Sequence, residues 1–176
     1  MNRTDDVILV NEHDEVLGTM EKMAAHRQAL LHRAFSVFIF NKKGEMLLQK
    51  RASGKYHSPD LWTNACCSHP MPGETTEAAA HRRLQEELGF DTPLEHLFHF
   101  VYCTPFDNGL TEHELDHVFV GYYDGDIRPN PMEIGDYCFM KMESITESMQ
   151  QYPQKYTSWF NIAFPKLESY WSVRQD

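Results

Sequence analysis

The chain has 176 residues, a formal net charge of −10 and 41% hydrophobic residues. These values are typical of one globular domain that buries about 70% of its unfolded surface. No apolar run approaches the roughly 20 residues that span a bilayer, so we expect no membrane association, and the acidic charge argues against nucleic acid as a partner. Four cysteines, two of them adjacent, form neither a CxxC motif nor a secreted disulfide framework, so we expect a reducing, cytoplasmic environment.

The first part of the chain is predicted to form strands. Residues 7–10 are a short apolar run that is typical of a buried strand. Two β-rich runs follow at residues 34–40 and 45–50, and the sequence between them, residues 41–44, is typical of a turn. We therefore predict a hairpin.

Polar residues of interest flank these strands. His26 and His32 are, from their position alone, ordinary surface histidines near the start of a strand, and Lys22 precedes them. Arg51 and Lys55 follow the hairpin. Such a basic cluster is usually solvated surface, but a phosphate site is the alternative, because Arg grips two phosphate oxygens at once and Lys adds a point charge.

The centre of the chain combines a thiol with a possible metal ligand. Residues 62–70 contain Cys66, Cys67 and His69. Side chains alternate along an extended segment, so Cys67 and His69 point to one side and Cys66 to the other. We expect Cys66 to pack as a small hydrophobic residue.

A helix is predicted directly after this stretch, over residues 74–88. Ala80, Leu84 and Leu88 recur at i, i+4 and i+8 and form an apolar stripe. Gly89 is a stop signal for the helix.

The next informative stretch is rich in acidic residues. Residues 96–104 are predicted to form a strand that carries Tyr102, and a second strand follows with Glu112, Glu114 and Asp116. Period-two alternation places these three acids on one face of that strand. Three carboxylates would repel each other if they were buried alone, so they are either exposed or share a cation.

The last part of the chain is predicted to contain one more strand and two helical segments. The strand spans residues 137–142 and a short helix spans residues 144–150. The final apolar run places Trp159 and Ala163 one turn apart, which is usually a core stripe, and we expect Pro165 to bend or restart the helix.

Residues 68–90 resemble a known motif, the Nudix box, G-x5-E-x7-R-E-U-x-E-E-x-G-U with U apolar. The matching residues are Glu74, Arg82, Leu84, Glu86, Glu87, Gly89 and Phe90. Ser68 stands where the box has its first Gly, and Arg83 stands where the box has Glu after Arg. Both departures, together with the sequence Asn-Ala-Cys-Cys-Ser-His-Pro at residues 64–70, resemble the type 1 isopentenyl-diphosphate isomerases. These are Nudix relatives that move a double bond instead of hydrolysing a diphosphate.

The resemblance, which covers about residues 5–171, implies both a fold and an activity. The fold would be α/β, a Nudix-like mixed β-sheet sandwiched between helices, in a single domain over residues 1–176. The activity would be the conversion of isopentenyl diphosphate, a small-molecule substrate, to dimethylallyl diphosphate through a tertiary carbocation. We expect a monomer, although no sequence feature fixes the oligomeric state.

The resemblance also implies a metal site and a diphosphate site. The metal ligands would be His26, His32, His69, Glu112 and Glu114. They would hold one divalent transition metal, Mn or Zn, since imidazole with carboxylate suits these ions better than Ca²⁺. Glu87 would help to hold Mg²⁺ on the diphosphate. The substrate-binding residues would be Lys22, Arg51, Lys55, Ser68, Arg83, Tyr102 and Trp159.

The catalytic pair implied by the resemblance is Cys67 and Glu114. They would exchange protons with the substrate from opposite sides, while Trp159 would face the cation. A Nudix-type diphosphate hydrolase is the alternative function, favoured by the acidic residues of the box. A metal-stabilised binding module without turnover is the third possibility.

Overall fold

The structure is a computed structural model that describes residues 5–174, and within this range nine strands form one mixed sheet with four α-helices. The strands are β1 (Asp6–Val10), β2 (Val16–Glu21), β3 (His32–Phe40), β4 (Glu45–Arg51), β5 (Trp62–Thr63), β6 (Cys66–Ser68), β7 (Leu94–Pro105), β8 (Thr111–Tyr122) and β9 (Ile134–Lys141). The helices are α1 (Lys22–Arg27), α2 (Thr76–Leu88), α3 (Met142–Gln151) and α4 (Ser158–Arg174), and a short 3-10 turn spans Pro153–Lys155.

Strand β3 is the centre of the sheet. It pairs in parallel with β8, from His32 opposite Glu114 to Phe40 opposite Tyr122. It also pairs antiparallel with β1, β4 and β6. Because β3 has neighbours on both sides and is covered on both faces, it is an almost continuous apolar run.

The two faces of the sheet carry separate apolar cores. Val37 and Ile39 point to one face, where they pack with Leu84 of α2. Phe38 points to the other face, where it packs with Phe160 of α4. The sheet therefore lies between helices, and the predicted fold class is confirmed.

Helix α2 ends at the predicted stop signal and begins two residues later than predicted, at Thr76. Thr75 Oγ1 accepts a hydrogen bond from the Ala78 N–H at 3.1 Å and caps the first turn. Gly89 ends the helix in the left-handed conformation, with φ 73°. A Cβ at Gly89 would lie 2.8 Å from Arg128 Cβ, so the close packing of the following loop also requires glycine.

Two predictions about the strands and helices hold only in part. The chain turns at residues 41–44 as predicted, but β3 and β4 pair at one position, Phe40 opposite Met46, and then diverge. Of the two outcomes predicted at Pro165, a bend or a restart, the structure excludes the restart, because α4 continues through this residue to Arg174. Burial of Phe164 and Leu167 against the sheet stabilises this helix and offsets the main-chain hydrogen bond that proline lacks.

No helix within residues 5–174 has both the length and the apolar character needed to cross a membrane.

Candidate active site

One pocket gathers most of the residues that the sequence singles out. The predicted residues in its lining are Lys22, Arg51, Lys55, Cys67, Ser68, His69, Arg83, Glu87, Tyr102, Glu112, Glu114 and Trp159. The remaining two, His26 and His32, contact the pocket residue His69, with ring centroids 5.9 Å and 5.0 Å from its own.

Four residues from four elements converge at one end of this pocket. The parallel pairing of β3 and β8 places His32 opposite Glu114, and His69 directly follows β6, which also pairs with β3. His26 comes from α1. One ligand atom of each of these four residues lies within 4.8 Å of the others.

Two histidines of this cluster, His26 and His32, keep a nitrogen lone pair that is not hydrogen-bonded. The Nδ1 atoms of His26 and His32 bond to main-chain oxygens of Lys22 and Leu30, at 2.6 Å and 2.8 Å. A carbonyl accepts, so each Nδ1 carries the proton and each Nε2 is left with a lone pair. Both Nε2 atoms are buried without a hydrogen-bond partner. Unpartnered buried nitrogens beside a carboxylate fit a metal ion.

Burial and neighbouring groups shift the pKa values of three residues in this cluster. Burial lowers the pKa of His26, and it lowers the pKa of His69 to about 4. Glu114 accepts a hydrogen bond from His69 Nε2 at 2.8 Å. Burial acts to raise the pKa of Glu114, but the neighbouring His69 and His32 hold it well below its usual value. The His26 and His69 rings are thus neutral and the carboxyl is ionised near neutral pH, and His69 has to give up its Nε2 proton if this nitrogen binds a metal.

Glu112 lies outside this cluster of four, so the structure does not gather all five predicted ligands. Its carboxylate accepts from the Tyr102 hydroxyl at 2.9 Å and lies 3.2 Å from His57 Nε2. The Tyr102 hydroxyl also lies 2.7 Å from Glu114 and links the two acids. Burial, together with the charge of Glu114, raises the pKa of Glu112 well above its usual value.

Cys67 lies at the inner wall of the pocket, in a polar niche. Its thiol donates to Asn64 Oδ1 at 3.1 Å, and Ser36 Oγ lies 3.4 Å from the sulfur. Burial raises the pKa of Cys67, so the sulfur carries its proton. Its neighbour Cys66 is fully buried in the core beside α2, as the alternation predicts.

The opposite side of the pocket carries basic side chains, and some of them are paired with acidic residues. Lys55 and Arg83 both form ion pairs with Glu133, and Arg83 also pairs with Glu87. Arg51 lies over the Trp159 ring, 5.1 Å from its centroid. The Nε atoms of Arg51 and Arg83 are buried without a hydrogen-bond partner, so both guanidinium groups retain capacity for an anion.

Among the residues that the sequence did not predict, His57 and Glu133 line the pocket and Asn64 supports it. His57 follows the basic stretch directly, and its position between Lys55 and the central motif was a usable signal. Asn64 belongs to the motif at residues 64–70, but its hydrogen bond to Cys67 is a tertiary contact. Glu133 lies in a loop far along the chain and had no local signal.

The fold and the box on α2 define a class of protein, and comparison with known proteins agrees. A family model described as NUDIX domain matches residues 30–160. A solved structure from Deinococcus radiodurans shares the fold, with a TM-score of 0.77 over 92% of this chain and 98% of that one at 22% identity. A MutT protein from Methanosarcina mazei has a TM-score of 0.66 over 79% of this chain and 94% of that one, at 18% identity.

Proteins with higher sequence similarity to this chain identify a family within the Nudix class. The isopentenyl-diphosphate Delta-isomerase of Pectobacterium atrosepticum is 47% identical over 96% of this chain and 94% of its own length. The isopentenyl-diphosphate Delta-isomerase 2 of Aromatoleum aromaticum is 49% identical over 94% of this chain and 87% of its own length. The chain belongs to the isopentenyl-diphosphate isomerase family of Nudix proteins.

Proposed function

We propose that this protein converts isopentenyl diphosphate to dimethylallyl diphosphate. One observation supports the proposal. The same pocket contains a protonated thiol (Cys67), an ionised carboxylate (Glu114) and the basic side chains of Arg51, Lys55 and Arg83. An isoprenyl diphosphate needs both parts, because its anionic end requires cations and its alkene requires a proton donor and a proton acceptor. The relatives with high coverage carry the same activity in their names.

The diphosphate would bind at the basic side of the pocket. Arg51 and Arg83 would each grip phosphate oxygens, and Lys55 and Lys22 would add point charges. Lys55 and Arg83 are now paired with Glu133. Phosphate would therefore compete with a carboxylate for these cations, so the net gain at Lys55 and Arg83 would be smaller than the about 1.5–3 kcal/mol of a full charge-assisted bond. Ser68 and Tyr102 complete the proposed substrate contacts.

His26, His32, His69 and Glu114 would hold one divalent transition metal, Mn²⁺ or Zn²⁺. When bound, this ion would set the acidity of the Glu114 carboxyl. Glu112 would support the site through the shared Tyr102 hydroxyl. Glu87 would help to hold Mg²⁺ with the diphosphate, and its pairing with Arg83 already places it beside the proposed phosphate site.

The reaction requires one proton to be added at the terminal alkene carbon and another to be removed two carbons away. Cys67 Sγ carries a proton in the state described here and Glu114 does not, so the thiol is the group that can donate and the carboxylate the group that can accept. Addition of the proton leaves a tertiary carbocation, and loss of the second proton forms the new double bond. Exchange with solvent restores both groups.

The walls of the pocket would protect the cation from water. Trp159 is 3% exposed and lines the pocket. An aromatic face gives a desolvated cation about 2 kcal/mol, which is small beside the 8–23 kcal/mol that enzymes typically supply. Positioning of the substrate between the proton donor and acceptor contributes about 7–11 kcal/mol. It must therefore supply most of the rate enhancement.

The positions of the acids in the box disfavour the hydrolase alternative. Glu74 pairs with Arg82, and Glu86 pairs with Arg82 and Arg83, whereas Glu87 lines the pocket in an ion pair with Arg83. A basic residue thus stands among the acids that a hydrolase keeps for metal ions. NMR of isopentenyl diphosphate incubated with the metal-loaded protein tests the proposal: dimethylallyl diphosphate is expected, and release of inorganic phosphate would support hydrolysis instead.

A further inference from the structure

The linker between two residues of the metal cluster, His26 and His32, begins with an uncommon helix end. After α1 the chain turns at Ala29, which has φ 53° and so lies in the left-handed region. The Leu30 N–H donates to Ala25 O at 3.1 Å. The Ala29 N–H donates to His26 O at 3.4 Å, and the two bonds together form the Schellman arrangement. Glycine usually occupies the left-handed position, because a Cβ disfavours that conformation. Ala29 therefore depends on contacts that hold it there.

One such contact comes from His113 of β8. Its Nδ1 atom lies 2.9 Å from Ala29 O. A carbonyl oxygen accepts, so the proton of this hydrogen bond belongs to His113 Nδ1. The next oxygen of the linker, Leu30 O, accepts from His32 Nδ1 at 2.8 Å. Side chains of two neighbouring strands, β8 and β3, thus hold two successive carbonyl groups of the linker.

The position of His113 on β8 links this contact to the metal cluster. Glu112 precedes it and Glu114 follows it. Side chains alternate along a strand, so His113 points to the face opposite to these two carboxylates. It is neither among the residues that line the pocket nor in the group of four converging ligands. Its bond to Ala29 instead ties the end of α1 to the stretch of β8 that carries Glu114.

Helix α1 depends on contacts at its two ends for its position. It has six residues, fewer than two turns, and a helix of this length is not stable alone. Its first turn is held by Glu21, whose carboxylate accepts from two main-chain N–H groups of the helix. Its other end is held by His113 through Ala29 O. Because α1 carries His26, these contacts set the place of His26 relative to the three ligands on the sheet.

We propose that His113 is a positioning residue of the metal site, which holds His26 in place through the main-chain oxygen of Ala29. The inference rests on the proposed function, because it concerns the transition metal of the pocket. His113 does not ligate the ion. Loss of its single hydrogen bond should weaken metal binding by about fivefold to tenfold, the effect of one net hydrogen bond.

The test compares two variants that separate the hydrogen bond from the ring. His113→Phe keeps a ring of similar size and removes the donor, whereas His113→Asn removes the ring and keeps an N–H donor near the place of Nδ1. Metal-free protein is titrated with Mn²⁺, and the free ion is followed by its EPR signal. We expect His113→Phe to raise the Kd for Mn²⁺ by about fivefold to tenfold and His113→Asn to stay close to wild type. A role in packing alone would give the reverse order and would overturn the proposal.

A second substitution tests whether the effect passes through Ala29. Glycine adopts positive φ without the Cβ penalty, so the turn with Ala29→Gly depends less on His113. Added to His113→Phe, this change should restore part of the lost Mn²⁺ affinity. A double variant that binds no more tightly than His113→Phe would overturn the proposed route.

The matched control lies at the other end of β8. Thr92 Oγ1 also donates to a main-chain oxygen, that of Tyr122, at 2.6 Å. Thr92→Val removes this bond far from the metal cluster and should leave the Mn²⁺ affinity unchanged. If wild type binds Mn²⁺ and His113→Phe binds it as tightly, the role of His113 is overturned and the proposed function stands. If wild type binds no Mn²⁺, the proposed metal site fails, and this inference fails with it.

Discussion

The thiol of Cys67 donates a hydrogen bond to Asn64 Oδ1 at 3.1 Å. The side-chain amide of Asn64 cannot flip, because its Nδ2 donates to the main-chain oxygens of Val37 and Cys66 at 2.9 Å and 3.1 Å. The buried main chain therefore fixes the acceptor that orients the thiol. In the proposed reaction this bond would aim the Cys67 proton before it is transferred.

We expect Asn64→Ala to lower kcat by roughly tenfold and to change KM little, because one hydrogen bond of about 1–1.5 kcal/mol is lost at the thiol and Asn64 does not line the basic side of the pocket. Steady-state kinetics with isopentenyl diphosphate provides the measurement. Tyr156→Phe is the control, since it removes a hydroxyl that donates to Ser148 Oγ of α3 at 2.8 Å and is not part of the hydrogen bonds around Asn64. An equal fall in kcat in both variants would show that Asn64 contributes only to the general stability of the fold.

The two adjacent cysteines should differ sharply in a labelling experiment. Turnover in D₂O places deuterium on carbon, in the new methyl group of dimethylallyl diphosphate, and mass spectrometry of the product detects it. Cys67→Ala should abolish the label because it removes the proposed proton donor. Cys66→Ala should largely keep it, because Cys66 is buried in the apolar core. Deuterated product from Cys67→Ala at the wild-type rate would refute the proposed proton transfer.

The basic side of the pocket can be tested with a neighbouring pair of cations. Arg51→Ala should raise KM by about tenfold or more, through loss of one charge-assisted bond, and lower kcat less. Lys50→Ala removes a charge one position away that lies outside the pocket lining, and should leave both constants near their wild-type values. An unchanged KM in Arg51→Ala would remove that residue from the substrate site.

Metal removal should silence the enzyme without unfolding it. His69→Ala should lower the bound transition metal by about one equivalent and abolish activity, because it removes one of four converging ligands. Chelation of wild type should abolish activity while circular dichroism still reports a folded chain, since the sheet has its own two apolar cores. Unfolding on chelation would favour the metal-stabilised binding module, and full activity in His69→Ala would exclude the proposed ligand set.

Local periodicity was enough to predict several parts of the molecule. The stripe of Ala80, Leu84 and Leu88 with Gly89 behind it predicted α2 to within two residues. Alternation from Cys66 to His69 predicted which of the two thiols reaches the pocket. These features depend on residues within one or two turns, so the backbone geometry of a single element determines them.

Local periodicity could not predict the contacts between strands that are distant in sequence. The predicted hairpin is present but short, because β3 leaves β4 after one pair of residues and aligns in parallel with β8. The same alignment places His32 beside Glu114. Glu112 instead contacts Tyr102 and His57, so it lies outside the cluster of four.

The sequence by itself therefore determined most of the elements that carry the site, through period and turn signals, and the family, through a motif of adjacent residues. The class of fold followed from the resemblance to that family. Tertiary structure decided the charge and neighbours of each group: the buried, protonated Cys67, the lowered pKa of Glu114 and the pairing of Lys55 with Glu133. Desolvation and Coulomb interactions depend on distances between groups that the chain brings together only when the sheet closes.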